Sequence, residues 1–187
     1  IPEGGLPYGN GNNVNGISTS GNATFTLANT AVVAVQEAYV RKVIDTVNDL
    51  DNVLYEIANE TGDPPCIPWQ HHFVDFIKAY QATKPKQHPV GMTSSVPWLD
   101  TDLYASNADW IAPNNRFLPG DGRKVVLNDS DHSFYWSDLK TAGIAQQRIW
   151  AWKTLTLGAA PMFMDPYLEV WGGRNEPTGN NPDPYWE

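Results

Sequence analysis

Carboxylates close two of the short apolar runs in this sequence. Tyr55-Glu56-Ile57-Ala58-Asn59-Glu60 ends one, and Lys124-Val125-Val126-Leu127-Asn128-Asp129 ends another, with Asp131 and His132 just beyond. Two carboxylates flanking a glycosidic bond can divide its hydrolysis between them. One protonates the leaving oxygen, and the other attacks the anomeric carbon or activates water. The first needs a raised pKa and the second a low one, a split that unequal environments produce. A separation of about 5–5.5 Å would mean retention of configuration, and about 6.5–9.5 Å inversion. Trp98, Trp110 and Trp136 read as residues of strand-end loops. Their flat faces could carry a sugar ring, or simply cover the end of the fold.

Rival chemistries are weaker on residue grounds. Asp129, Asp131 and His132 could hold a divalent cation, but no second His cluster of recognised spacing accompanies them, so no metal is expected. His71 and His72 are helical neighbours in sequence and cannot share one face. Cys66 follows Pro65 and reads as a loop or semi-buried residue outside any Cys/His motif. No glycine fingerprint follows a strand and no Walker motif occurs, so no nucleotide cofactor is expected.

Alternating elements must position these groups. Residues 1–29, with Gly9-Asn10-Gly11-Asn12-Asn13, read as a loop or a disordered start. Asn29-Thr30 looks like a helix cap, and Val33, Val40, Val43, Ile44, Val47 and Leu50 keep a helical period over 31–50. A strand follows at 53–58, apolar on both faces, with Leu54, Glu56, Ala58 and Glu60 sharing one of them. A second helix spans 69–83, carrying Trp69, Phe73, Phe76, Ile77 and Tyr80 on one stripe. Strands are expected at 88–92, 109–113, 124–129 and 161–165, a helix at 137–157 with Ile144, Ile149, Trp152 and Leu155 inward, and an irregular tail at 169–187. The class is α/β, with about five parallel strands. A complete eightfold barrel takes about 250 residues, so the pattern fits a partial (β/α) barrel in a single domain. Thr93, Ser94, Asn114 and Asp165 join Asn59, Glu60 and Asp129 at strand ends. Each alone could cap a helix, but the strand-end edge of a parallel sheet is where active sites lie.

Residues 52–60 resemble the fourth strand of clan A glycoside hydrolases, family 5 above all, in which an aromatic-Glu-aliphatic-x-Asn-Glu run ends in the general acid/base. The resemblance implies Glu60 as acid/base, Asn59 as partner of the sugar 2-hydroxyl and Glu56 as a buried structural carboxylate. The clan's nucleophile ends the seventh strand. Counting from 53–60 as the fourth makes 124–129 the seventh, with Asp129 the first choice and Asp131 the second. The clan has Glu there, one methylene longer. Residues 31–60, 124–136 and 145–167 are also similar to bacterial barrel proteins of glycosidase or cellulase type, including Asp129-Ser130-Asp131-His132 and Phe163-Met164-Asp165-Pro166-Tyr167. Asp165 stands where the family has its late-barrel Trp. The resemblance thus implies a retaining hydrolase of β-linked glycans, acting on an oligo- or polysaccharide and needing no cofactor; beside Asn59, the candidate substrate contacts are His132, Trp98, Trp110, Trp136 and Asp165. The competing expectation is a non-catalytic or vestigial carbohydrate-binding half-barrel, because the clan's earlier strands supply an Arg and other substrate contacts.

Composition bounds these readings. The 187 residues carry 12 Lys+Arg against 21 Asp+Glu, a net charge of −9, and no basic stripe that would serve nucleic acid. No apolar run reaches the roughly 20 residues of a membrane span, and no signal-peptide pattern opens the chain. The chain begins at Ile1, which reads as a processed or truncated product, so a secreted location stays open. A lone cysteine rules out an intrachain disulfide. Five strands cannot close a barrel. Open edges near 53–59 and 161–165 would expose Val53, Leu54, Ile57, Met162 and Phe163, and a homodimer or higher homo-oligomer is expected to cover them.

Overall fold

The computed structural model describes residues 7–9, 12–19, 21–59, 64–94, 100–113, 118–129 and 139–162, with the backbone alone at 21–22, 129 and 139–147. They fall in two compact units, Ile1–Ile111 and Ala112–Glu187. Five all-parallel strands alternate with helices, so the fold is α/β.

In the first unit the Asn-rich start is organised around one side chain. Asn13 accepts from the backbone N–H of Asn15 and Ile17 and donates to the Ile17 carbonyl at 2.7 Å. A 3-10 turn at Gly21–Phe25 follows, and Phe25 meets Trp69 edge-on at 5.4 Å. Asn29 then caps helix α1 (Thr30–Val47), accepting from the N–H groups of Ala31 and Val32. Those donors have no partner inside the helix, which is why Asn suits the position. The helix stops at Asn48, whose side chain donates to the Lys86 carbonyl at 2.7 Å.

Helix α2 (Ile67–Gln81) begins behind a 3-10 turn at Pro64–Cys66, with a proline in its first turn, where no N–H is needed. It starts two residues before the expected 69. Cys66 is fully buried at its N-cap rather than in a loop. Trp69, Phe73 and Ile77 are buried as the periodicity requires, while Phe76 and Tyr80 lie half-buried along the seam with α1. That seam is a series of paired groups. Glu37 Oε1 meets His72 Nε2 at 2.9 Å, the Arg41 guanidinium sits 4.7 Å over the Phe76 ring, and Asp45 takes Lys84 Nζ at 2.5 Å and the Tyr80 hydroxyl. Partner numbers rise together along both helices, so α1 and α2 run in the same direction.

Strand β1 covers only Tyr55–Glu56, not 53–58. It pairs in parallel with β2 (Val90–Thr93), in the register Tyr55↔Val90 and Glu56↔Gly91, and Tyr55 N–H reaches the Pro89 carbonyl at 2.9 Å. The ladder ends at Glu56, although β2 continues through Met92 and Thr93. All four β2 residues are buried. The entry to β2 is fixed by a two-way bond between Gln81 and the His88 backbone, both at 2.8 Å. A short helix α3 (Asp100–Ala105), which the apolar pattern did not suggest, leads to β3 (Trp110–Ala112). It is six residues long, too short for a helical period to register, and Asp100 and Asp102 occupy its first turn.

In the second unit, β4 (Val125–Asp129) pairs in parallel with β5 (Ala160–Met162), through Leu127↔Ala160, Asn128↔Pro161 and Asp129↔Met162. Helix α4 (Leu139–Thr156) joins them. The inward stripe of α4 differs from the expected one. Trp150 and Thr154 are buried, whereas Ile149, Trp152 and Leu155 are 50–67% exposed. The reason lies across the interface: Asn128, 1% exposed, donates from Nδ2 to Thr154 Oγ1 at 2.8 Å. A buried polar pair sets the rotation of the helix, which counting apolar residues misses. Gly158, at φ +77°, ends α4 in the left-handed region, and the Gly120 N–H bonds Leu157 O at 2.8 Å. The backbones approach so closely that Gly120 has no room for a β-carbon against Gly158.

Candidate functional site

Parallel strands bring their carboxyl ends to one edge, where loops can vary over a fixed base. In the first unit, the chain leaves β1 through Ile57 and Ala58 to Asn59, which is exposed, while β2 ends on the buried Thr93 followed by buried Ser94. Glu60, the expected acid/base, follows Asn59 directly but lies outside the described residues, as do Asp131, His132, Trp98, Trp136, Asn114, Phe163 and Asp165. In the second unit, Asp129 is the last residue of β4 and the register partner of Met162. Its neighbour Asn128 anchors that strand end to α4 through Thr154. Asn59 therefore lies three residues beyond the end of β1 in one unit, and Asp129 ends β4 in the other.

Two expectations are corrected. Glu56 is exposed, not buried, because β1 has a strand beside it on one side only among the described residues. Trp110 is not a loop residue. It opens β3, is 7% exposed, and its indole lies so close to Gly91 that a β-carbon there would overlap the ring. Register partners in a parallel pair point their Cβ atoms to the same side, so the indole covers the face of the sheet on which Glu56 also lies. It forms part of the packed sheet and offers no open platform for a sugar. His71 and His72 turn to different partners, the Asp102 carbonyl and Glu37.

The periodicity gave no warning of a cavity of about 310 Å³ between α1, β1 and α2. From α1 it is lined by Gln36, Tyr39, Val40, Val43 and Ile44, from β1 by Tyr55, Glu56 and Ile57, and from α2 by Trp69, Phe73 and Ile77. The Tyr55 hydroxyl is buried with no hydrogen-bond partner among the described residues, and burial raises its pKa. Gln36 is already used at both ends of its amide, accepting from Trp69 Nε1 at 3.0 Å and donating to the Thr24 carbonyl at 2.9 Å.

No protein-family model, no curated protein and no solved structure matches the chain.

Proposed function

We propose that this chain forms the later part of a (β/α) barrel and hydrolyses β-linked glycans, with Glu60 as general acid/base and Asp129 as nucleophile, Asp131 being the second choice for that role. The observation that carries the reading is the pair of strand exits. β1 leads through Asn59 into Glu60, and the parallel strand β4, three strands later, runs out on Asp129. On this reading Glu60 protonates the glycosidic oxygen while Asp129 attacks the anomeric carbon. Glu60 then draws a proton from water to release the sugar. Asn59 holds the 2-hydroxyl, and His132, Trp98, Trp136 and Asp165 complete the sugar contacts.

The test is hydrolysis of a β-glucan panel and an aryl glycoside by the purified protein beside Glu60→Gln and Asp129→Asn. Loss of general acid catalysis should lower turnover of the Glu60 variant roughly a hundredfold or more. Unchanged turnover in that variant would sink the assignment. The exposure of Glu56, where the resemblance implies a buried carboxylate, favours a second reading: a carbohydrate-binding scaffold without catalysis. Calorimetry with cello-oligosaccharides separates the two, since binding without turnover supports the scaffold.

Assembly belongs to the same proposal. The edge strands β1 and β5 carry Leu54 and Met162, 62% and 38% exposed, beside or within them. Open apolar edges invite pairing. We therefore propose a homodimer or higher homo-oligomer. Light scattering coupled to gel filtration should return at least twice the 20.8 kDa chain mass, and a monomer would refute it.

A further inference from the structure

We propose that Asn15 is a site of covalent modification, where the Gly16 backbone nitrogen displaces the side-chain amide and leaves aspartate or isoaspartate. The ring that closes in this reaction includes the nitrogen of the following residue. Glycine, with no β-carbon, crowds that ring least. The chain offers two such pairs, Asn10-Gly11 and Asn15-Gly16, and the second lies within the described residues. A backbone N–H held in a hydrogen bond resists the attack, since the bond must first be given up. Around Asn15 the neighbours are held and the nucleophile is not. Asn13 Oδ1 accepts from the N–H groups of Asn15 at 3.1 Å and Ile17 at 3.2 Å, and Asn13 Nδ2 donates to the Ile17 carbonyl at 2.7 Å. Between them, the Gly16 N–H and the Asn15 side chain have no hydrogen-bond partner among the described residues.

Access is open as well. Asn15 and Gly16 are both exposed. Gly16 sits at φ +68°, in the left-handed region, and a β-carbon there would meet nothing within 4 Å. The Gly16 nitrogen gives its proton to solvent and attacks Asn15 Cγ. An N–C bond forms, and the Cγ–Nδ2 bond breaks with departure of ammonia. Water then opens the succinimide at either carbonyl, so water is the only co-reactant. Opening at one carbonyl restores the original main chain with aspartate in place of Asn15. Opening at the other carries the main chain through the Asn15 side chain, placing an extra backbone atom between the two N–H groups that Asn13 holds. Either product adds a negative charge to a chain of net charge −9. None of the proposed hydrolytic residues takes part, so the modification stands or falls independently of glycan cleavage.

Peptide mapping by mass spectrometry tests the proposal on the full chain, held in mildly alkaline buffer beside a synthetic peptide of residues 12–19. Circular dichroism checks that the chain stays folded, and fragment ions assign each lost amide to Asn15 or to Asn10. Asn15 should convert as fast in the folded chain as in the free peptide, and faster as pH rises, because the attacking nitrogen must lose its proton. Asn29, whose side-chain oxygen caps α1, should keep its amide. Anion exchange should resolve an acidic species that accumulates with time, and Asn15→Gln, which cannot close the same ring, should diminish it. Asn15 left amidated in the folded chain would overturn the proposal, whether or not the free peptide converts. Loss of amide confined to Asn10, or an acidic species undiminished in Asn15→Gln, would overturn it equally.

Discussion

Asn128 and Thr154 meet side chain to side chain inside the second unit, 2.8 Å from Nδ2 to Oγ1, both essentially without solvent contact. This bond joins the penultimate residue of β4 to the last turn of α4, and so positions the backbone on which Asp129 is carried. Thr154→Val keeps the shape and removes the acceptor, leaving the Asn128 donor buried without this partner. The expected cost is about 1–3 kcal/mol. Urea denaturation would measure it, and an unchanged midpoint would show that the bond contributes nothing net.

Gly91→Ala should be destabilising by about 1–3 kcal/mol, because the new methyl group must displace the Trp110 indole. The same substitution in a Trp110→Ala background should cost much less, since the ring is gone. A double-mutant cycle reads the coupling directly. Additive effects would mean that the ring moves aside freely.

Asn29→Ala should cost about 1 kcal/mol, since two backbone donors at the start of α1 lose their acceptor. For a chain of this size that is a fall of about 2–4 °C in thermal midpoint. Asn29→Asp, which keeps the accepting oxygen, should retain most of the stability. Scanning calorimetry of the three proteins tests both statements.

The link between Asp45 and Lys84 sets a pH dependence. The Lys84 ammonium, hydrogen-bonded to Asp45, holds that carboxyl below the ordinary Asp value, the Tyr80 hydroxyl acting in the same sense against partial desolvation. Lys84 is raised in turn, first by Asp45 and then by Tyr80. A depressed Asp contributes fully above its unfolded value of about 3.9 and loses that contribution as pH falls through its folded value. A raised Lys contributes fully below about 10.4 and loses it as pH rises through its folded value. The difference in urea midpoint between wild type and Asp45→Asn should therefore be constant near neutrality and shrink below about pH 3.9. A constant difference down to pH 2 would contradict the linkage.

Local chemistry made part of this structure legible in advance. Asn29 announced a cap because it precedes a helical apolar period, and Trp69, Phe73 and Ile77 announced the buried stripe of α2 because their spacing matches its turn. The parallel α/β class followed from strands and helices taking turns. What escaped depended on partners distant in sequence. The rotation of α4 is decided by Thr154 facing Asn128, 26 residues away, and Ile149, Trp152 and Leu155 turn outward as a result. β1 is shorter than its apolar run, since apolar character alone does not make a ladder: it ends at Glu56 while β2 runs on to Thr93. Glu56 is exposed and Trp110 enclosed for related reasons: the first belongs to a strand at the edge, the second to one that packs its ring on Gly91. Of the candidate site, the strand end at Asp129 was foreseen, whereas Asn59 lies three residues past the end of β1. The cavity was not, because it arises from the meeting of three separate elements.

The seam between α1 and α2 has a consequence for the lengths these helices can tolerate. Glu37, Arg41 and Asp45 recur every four residues, and so do His72, Phe76, Tyr80 and Lys84 opposite them. The two sides share a step of about 6 Å, close to one helical turn. Inserting a single residue between Glu37 and Asp45 would turn everything beyond it by about 100°, carrying part of the seam off the interface. Adding a residue in the loop after α1 leaves the pairing untouched. Length variation in relatives of this protein should therefore collect in residues 49–54 and 85–88 and avoid the interiors of both helices.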